Sequence, residues 1–235
     1  MTDSSIGRVV GVLTSPTKTF AAIRERPTWL VALLTLMLVG AGTYLLMSQR
    51  MDMAEIVRES VEARGQDVPE EQLETMMDVY DKYGHAISLG SMFAYMALGF
   101  PLATLIIWVA VKLVGAELTY KQMWATFLYS QMPSLVGAVL SLPAILSRDE
   151  FHFEDVQTGS VLPSNLGFIA PEETSAGMLS LMSSLDVFTL WSVVLLILGV
   201  STVGRIKMGT SAAAVIACFA IFVLGKAGWA AAFGG

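Results

Sequence analysis

Few residues in this chain have a type and spacing suited to chemistry. Lys226 is the one charge well inside an apolar run, and Asp186 heads another, LDVFTLWSVVLLILGVSTVGRIKM from Leu185 to Met208. Set on neighbouring helices, the two could form a structural ion pair, leave the lysine to snorkel outward alone, or act as a proton or ion relay. One lysine and one acid are few beside the chain of titratable groups that a pump uses. His152 stands among four acids in RDEFHFED, residues 148–155, but the spacing matches no metal-ligand pattern. Pro101, Pro133 and Pro143 fall inside apolar runs. Prolines can mark broken helices at a binding site, yet they are ordinary in membrane helices, so all three read as helix kinks. The single Cys218 excludes an internal disulfide and a multi-cysteine metal site. There is no P-loop, GxSxG, HExxH, paired intramembrane carboxylate or cysteine-histidine pair. No catalytic residue, metal ligand or cofactor is therefore expected, and the chain reads as no enzyme.

The elements that hold these residues are membrane helices. Charged residues are 14% of the chain and the mean hydropathy is +0.64, whereas soluble domains carry about 25% charge. An aqueous core cannot hide this much apolar surface, so lipid covers it. Uncharged runs predict five spans at about 29–47, 86–114, 123–146, 187–203 and 212–232. The fourth, about sixteen residues from Val187, nearly crosses a hydrocarbon core of about 30 Å at about 1.5 Å per residue. Gly40, Ala41 and Gly42 in the first span, and Ala212 to Ala214, Gly225 and Gly228 in the fifth, suit close helix packing.

Polar segments connect the spans. Residues 1–28 form a leader and not a signal peptide. Within it Ser15-Pro16 starts a helix as N-cap and first residue, with Phe20 and Ile23 on one face and Lys18, Arg24 and Arg26 elsewhere. That pattern suits an interfacial helix among lipid headgroups, ended by Pro27 and marked by Trp29. Residues 48–84 carry ten acids against four bases. The stripe Met53, Ile56, Val57, Val61 and, after a break at 65–69, the stripe Leu73, Met76, Met77, Tyr80 predict an amphipathic helical hairpin. Residues 148–184 form a polar loop whose latter part, from Pro171, reads as a short helix.

Lysine and arginine counts orient the chain. With the N-terminus cytoplasmic, the inner segments hold eight (Arg8, Lys18, Arg24, Arg26, Lys112, Lys121, Arg205, Lys207) and the outer segments five (Arg50, Arg58, Arg64, Lys82, Arg148). The acids agree: only Asp3, Glu25 and Glu117 lie inside. The hairpin is then extracytoplasmic and the C-terminus outside. Lys226 would lie about six residues, or about 9 Å, below the outer end of the fifth span, within reach of Asp186.

The leader GVLTSPTKTFAAIRERPTW, the hairpin segment VPEEQLE, the stretch from Gln122 to Pro133 and above all SLDVFTLWSVVLLILGVSTVGR resemble the Yip-domain family. These membrane proteins are named for eukaryotic members that interact with Ypt/Rab GTPases. The likeness covers almost the whole chain. It implies a five-helix membrane bundle with a cytoplasmic N-terminus, here a single membrane domain over 29–235, and the compact length resembles the bacterial branch, in the cytoplasmic membrane. The longer cytosolic region that eukaryotic members associate with trafficking partners has no counterpart in the short leader, so GTPase binding does not carry over. Residues matching the family pattern are Pro16, Phe20, Pro27 and Trp29, then Leu185, Asp186, Phe188, Trp191 and Gly199, taken as structural markers.

The fold class expected is thus all-α: a polytopic five-helix transmembrane bundle with an amphipathic N-terminal helix and an acidic helical hairpin. Three functions fit. A non-catalytic organiser or adaptor, docking a membrane-protein partner or itself through its surface helices, is the preferred reading. A small-molecule, lipid or ion carrier using the kinked spans and the Lys226/Asp186 pair is the alternative, and an intramembrane enzyme the third. The lipid bilayer is a partner in every case, and no nucleic-acid partner is expected.

Overall fold

The computed structural model describes residues 4–63, 65, 68–153, 155, 161–171 and 173–233. In order, the helices are α1 (Ser5–Thr14), α2 (Pro16–Glu25), α3 (Leu30–Ser48), α4 (Met53–Ala63), α5 (Glu70–Ala94), a π-helical turn (Tyr95–Gly99), α6 (Phe100–Leu113), α7 (Tyr120–Ser130), α8 (Met132–Ser147), a 3-10 turn (Leu166–Ile169), α9 (Ala176–Ser184), α10 (Val187–Gly204) and α11 (Met208–Phe233). Among the described residues, the β-structure consists of isolated bridges, Met51 with Phe151 and Asn165 with Asp186. Among the described residues, five helical segments are long and apolar enough to cross a membrane: Leu30–Ser48, Glu70–Leu113, Tyr120–Ser147, Val187–Gly204 and Met208–Phe233. The chain is an all-α polytopic membrane protein.

It divides into two compact units. The first takes Met1–Val39, Tyr95–Gly137 and Val187–Phe222; the second takes Gly40–Ala94, Ala138–Asp186 and Val223–Gly235.

In the first unit the leader holds two helices where the spacing predicts one. Ser4 caps α1 by accepting from Gly7 N at 3.0 Å, which satisfies one of the helix's unpaired donors. Ser15 alone separates α1 from α2, and its side chain makes no capping bond. Pro16 starts α2 at the position where a missing N–H is harmless. A capping box opens α7: Gln122 N donates to Thr119 Oγ1 at 3.3 Å, and Thr119 N donates to Gln122 Oε1 at 2.8 Å. Gly115, with φ 88°, ends α6 in a Schellman turn. Ala116 N donates to Val111 O and Gly115 N to Lys112 O.

Two of the three span prolines have a local consequence. Pro101 sits in the first turn of α6, directly after the π-turn; a widened turn is one way a helix absorbs a missing N–H. Pro133 has no N–H to return to the Tyr129 carbonyl, and the helix is interrupted at Gln131, so the third span is α7 plus α8. Pro143 lies within α8, whose helix continues past it.

In the second unit α4 folds back on α5. Gly84 is where they meet: a Cβ there would stand 2.9 Å from Met53 Cβ. Helix α5 runs unbroken to Ala94, through residues 84–86 where the sequence reading passes from hairpin arm to span. A lone helical glycine costs only about 1 kcal/mol and breaks nothing by itself. Gln66 and Asp67 of the hairpin break and Glu154 of the acidic loop lie outside the described residues.

Candidate functional site

Within the first unit the leader packs on the spans through some of the residues that carry the family likeness, Phe20 and Gly199 first among them. Val12, Phe20 and Ile23 are 0% exposed, and α2 packs on α7 and α10. Phe20 lies over Gly199. A Cβ on that glycine would stand 2.8 Å from the Phe20 ring and 2.5 Å from Thr126 Cγ2, so only glycine leaves the ring its seat. Trp29 meets Trp124 edge to face with centroids 6.3 Å apart, and Trp191 packs against the same core. Phe188 lies against Gly137. The face that the sequence assigns to headgroups is therefore covered by protein.

Polar bonds fix the same contact. Arg8, almost fully buried, donates from Nη1 to Arg26 O at 2.6 Å and to Thr28 Oγ1 at 2.9 Å. Tyr129 OH donates to Ser5 O at 3.2 Å, and Gln122 Nε2 donates to Arg24 O at 2.8 Å. Sequence reasoning counted Arg8 only as a charge. Its place inside α1, among Val9, Val10, Val12 and Leu13, was the available signal that it faces protein.

Leu185 and Asp186 belong to the second unit, as does Lys226. Asp186 accepts from Ser164 Oγ at 2.5 Å, while the Lys226 ammonium donates to Ser184 Oγ at 3.2 Å. Ser184 ends α9, which approaches α11 closely: a Cβ on Gly177 would stand 2.8 Å from Ala231 Cβ. The lysine thus reaches the segment that leads to Asp186.

The acidic hairpin buries both of its apolar stripes to different depths. Met53, Ile56, Val57 and Val61 are at most 9% exposed, and Leu73, Met76, Met77 and Tyr80 are half-buried. Left outward on α5 are Val79, Tyr83 and Ile87, 43%, 50% and 42% exposed. Their i, i+4, i+8 spacing makes one ridge, flanked by Glu74, Asp78 and Asp81.

The RDEFHFED segment is clasped to this hairpin. Phe151, 1% exposed, donates its N–H to Arg50 O at 2.9 Å. His152 Nδ1 lies 2.9 Å from Glu59 Oε1, and Phe153 N donates to Glu59 Oε2 at 2.7 Å. The hydrogen bond and charge of Glu59, with smaller contributions from Glu150 and Asp155, raise the His152 pKa above the ordinary imidazole value. Beside the clasp lies an open basin of about 440 Å³ lined by Arg50, Asp52, Asp81, His85, Asp149 and Glu150. Among the described residues no three acids, histidines or cysteines are grouped so as to hold a metal ion.

The first unit also contains a cleft of about 490 Å³ between α6, α7, α10 and α11. Phe100, Phe127, Leu196, Phe222 and the half-buried Cys218 line it, and its polar groups are the Tyr95 hydroxyl, Gln131, Thr189 and Ser192. No charged residue is in the lining. Sequence reasoning missed this cleft, since in a membrane span an apolar residue facing a cavity looks like one facing lipid.

A family model for the Yip1 domain matches residues 10–230. The chain is similar to the membrane protein YknW of Bacillus subtilis strain 168, at 28% identity over 218 residues, covering 91% of this chain and 86% of that protein. No solved structure matches.

Proposed function

The chain belongs to the Yip1 domain family, and on that footing we propose that it is a non-catalytic membrane adaptor whose hairpin docks a second membrane protein. The Val79, Tyr83, Ile87 ridge is the observation that carries this reading. Val79 and Tyr83 are the large apolar side chains left exposed on the hairpin arm, and Ile87 continues their row at the edge of the second span, so this ridge is apolar surface open to another molecule. Its acidic flanks favour a partner that presents an apolar helix face edged with lysine or arginine. The likeness to a Bacillus subtilis membrane protein supports a bacterial cytoplasmic membrane location, and the charge distribution along the chain supports the N-terminus inside and the hairpin outside.

The test compares what co-isolates with the wild type and with a Val79→Ser/Tyr83→Ser/Ile87→Ser variant from native membranes in mild detergent. A protein lost from the variant, and lost from the wild type at high salt, supports the adaptor; screening weakens exposed charge pairs of this kind. Identical sets from both, with the variant folded, overturn it.

A further inference from the structure

We propose that the cleft in the first unit binds one acyl chain of a bilayer phospholipid. Its walls are residues of α6, α7, α10 and α11, all parts of apolar spans, so hydrocarbon is the medium at its mouth. Leu102, Ile106 and Phe222 on the rim are 58%, 56% and 59% exposed, so the cleft opens sideways into that medium. A volume near 490 Å³ lies in the range of about 300–1,000 Å³ typical of small-ligand sites.

The lining selects among occupants. Without a charged residue it offers nothing to an ion, and any charged headgroup is left outside it. The Ser192 hydroxyl already donates to Phe188 O at 2.9 Å, and water finds few partners along walls made mostly of aromatic and aliphatic side chains. An uncharged chain whose headgroup stays outside satisfies all of these conditions. The aromatic wall is held in place: Tyr95 meets Phe100 at 5.5 Å and Phe100 meets Phe127 at 5.4 Å, both edge to face. A Cβ on Gly99 would stand 2.8 Å from the Tyr95 ring, so glycine at this position lets the ring lie along the rim.

Cys218 lines the cleft and is the only cysteine in the sequence, which supplies a plug that can be added after folding. The full chain is reconstituted in nanodiscs of phosphatidylethanolamine and phosphatidylglycerol with graded amounts of a phosphatidylcholine carrying a diazirine acyl chain. Irradiated samples are mapped by peptide mass spectrometry. Expected are adducts at the buried lining residues Leu196 and Phe127 that saturate with probe, while adducts at Leu38, 72% exposed, rise in proportion. Alkylating Cys218 with a bulky maleimide in detergent before reconstitution, or the substitution Ala103→Trp, removes the saturable adducts and leaves those at Leu38. Cleft adducts that rise in proportion like those at Leu38, or that persist with the plug in place, overturn the assignment; so do crosslinks from the cleft to a second copy of the chain. The proposal is independent of the hairpin's partner.

Discussion

Replacing Phe20 by alanine should free the leader from α7 and α10. The side chain is fully buried, and burying or deleting a phenylalanine at such a site is worth about 3–5 kcal/mol. At about 1.4 kcal/mol per tenfold, the open form of the leader should become at least 100-fold more populated. Gly199→Ala perturbs the same contact from the other side. The new methyl would stand 2.8 Å from the Phe20 ring and 2.5 Å from Thr126 Cγ2, an overpacking expected to cost about 1–3 kcal/mol. With Phe20 already removed, only the Thr126 contact remains, so the pair should couple by about 0.5–3 kcal/mol. The assay is limited trypsin cleavage after Lys18 and Arg24 in proteoliposomes, together with unfolding equilibria of both single variants and the double. Faster cleavage in Phe20→Ala, and a double variant less destabilised than the sum, are the expected results. Unchanged cleavage together with strict additivity would refute the packing of Phe20 on Gly199.

Other perturbations test the second unit. Since Glu59 raises the His152 pKa, the clasp gains stability from protonated His152 that is fully present below the ordinary imidazole value and is lost as pH rises through the raised one. Backbone exchange of residues 150–153, corrected for intrinsic rates, should therefore quicken on going from acid to mildly alkaline pH; Glu59→Gln should flatten that dependence, and a wild type with no pH dependence would contradict it. Lys226→Met removes the hydrogen bond to Ser184, so a small stability loss of about 0.5–1.5 kcal/mol by thermal unfolding is expected. Loss of a substrate-dependent flux in a folded Lys226→Met protein would favour a carrier instead. Gly84→Val should force α4 from α5 through the Met53 contact, lowering thermal stability by about 1–3 kcal/mol.

The spans were legible because uncharged runs near 20 residues have few alternatives. The paired stripes of the hairpin were legible from helical spacing. Where the leader goes was not, because a helix whose apolar face meets protein has the same periodicity as one whose face meets lipid. Helix α1 differs more sharply from the expectation: Ser4 and its short apolar run are a weaker helix signal than Ser15-Pro16. Periodicity also could not show that α5 continues past Gly84, a position set by contact with Met53. The clasp joins Glu59 to His152 across 93 residues of sequence, a separation at which local patterns carry no information. Lys226 and Asp186 stood out as charges, but their partners Ser184 and Ser164 are serines that nothing in the sequence distinguishes.

The most direct measurement is site-specific photocrosslinking in native membranes, with the reactive residue placed at Tyr83 on the exposed ridge and, as a control, at Met76 on the half-buried face. The adaptor account predicts a discrete protein adduct from Tyr83 that is absent from Met76 and disappears when Val79 and Ile87 are made serine. Adducts from Tyr83 to lipid alone, in cells where the protein is folded and inserted, would contradict it.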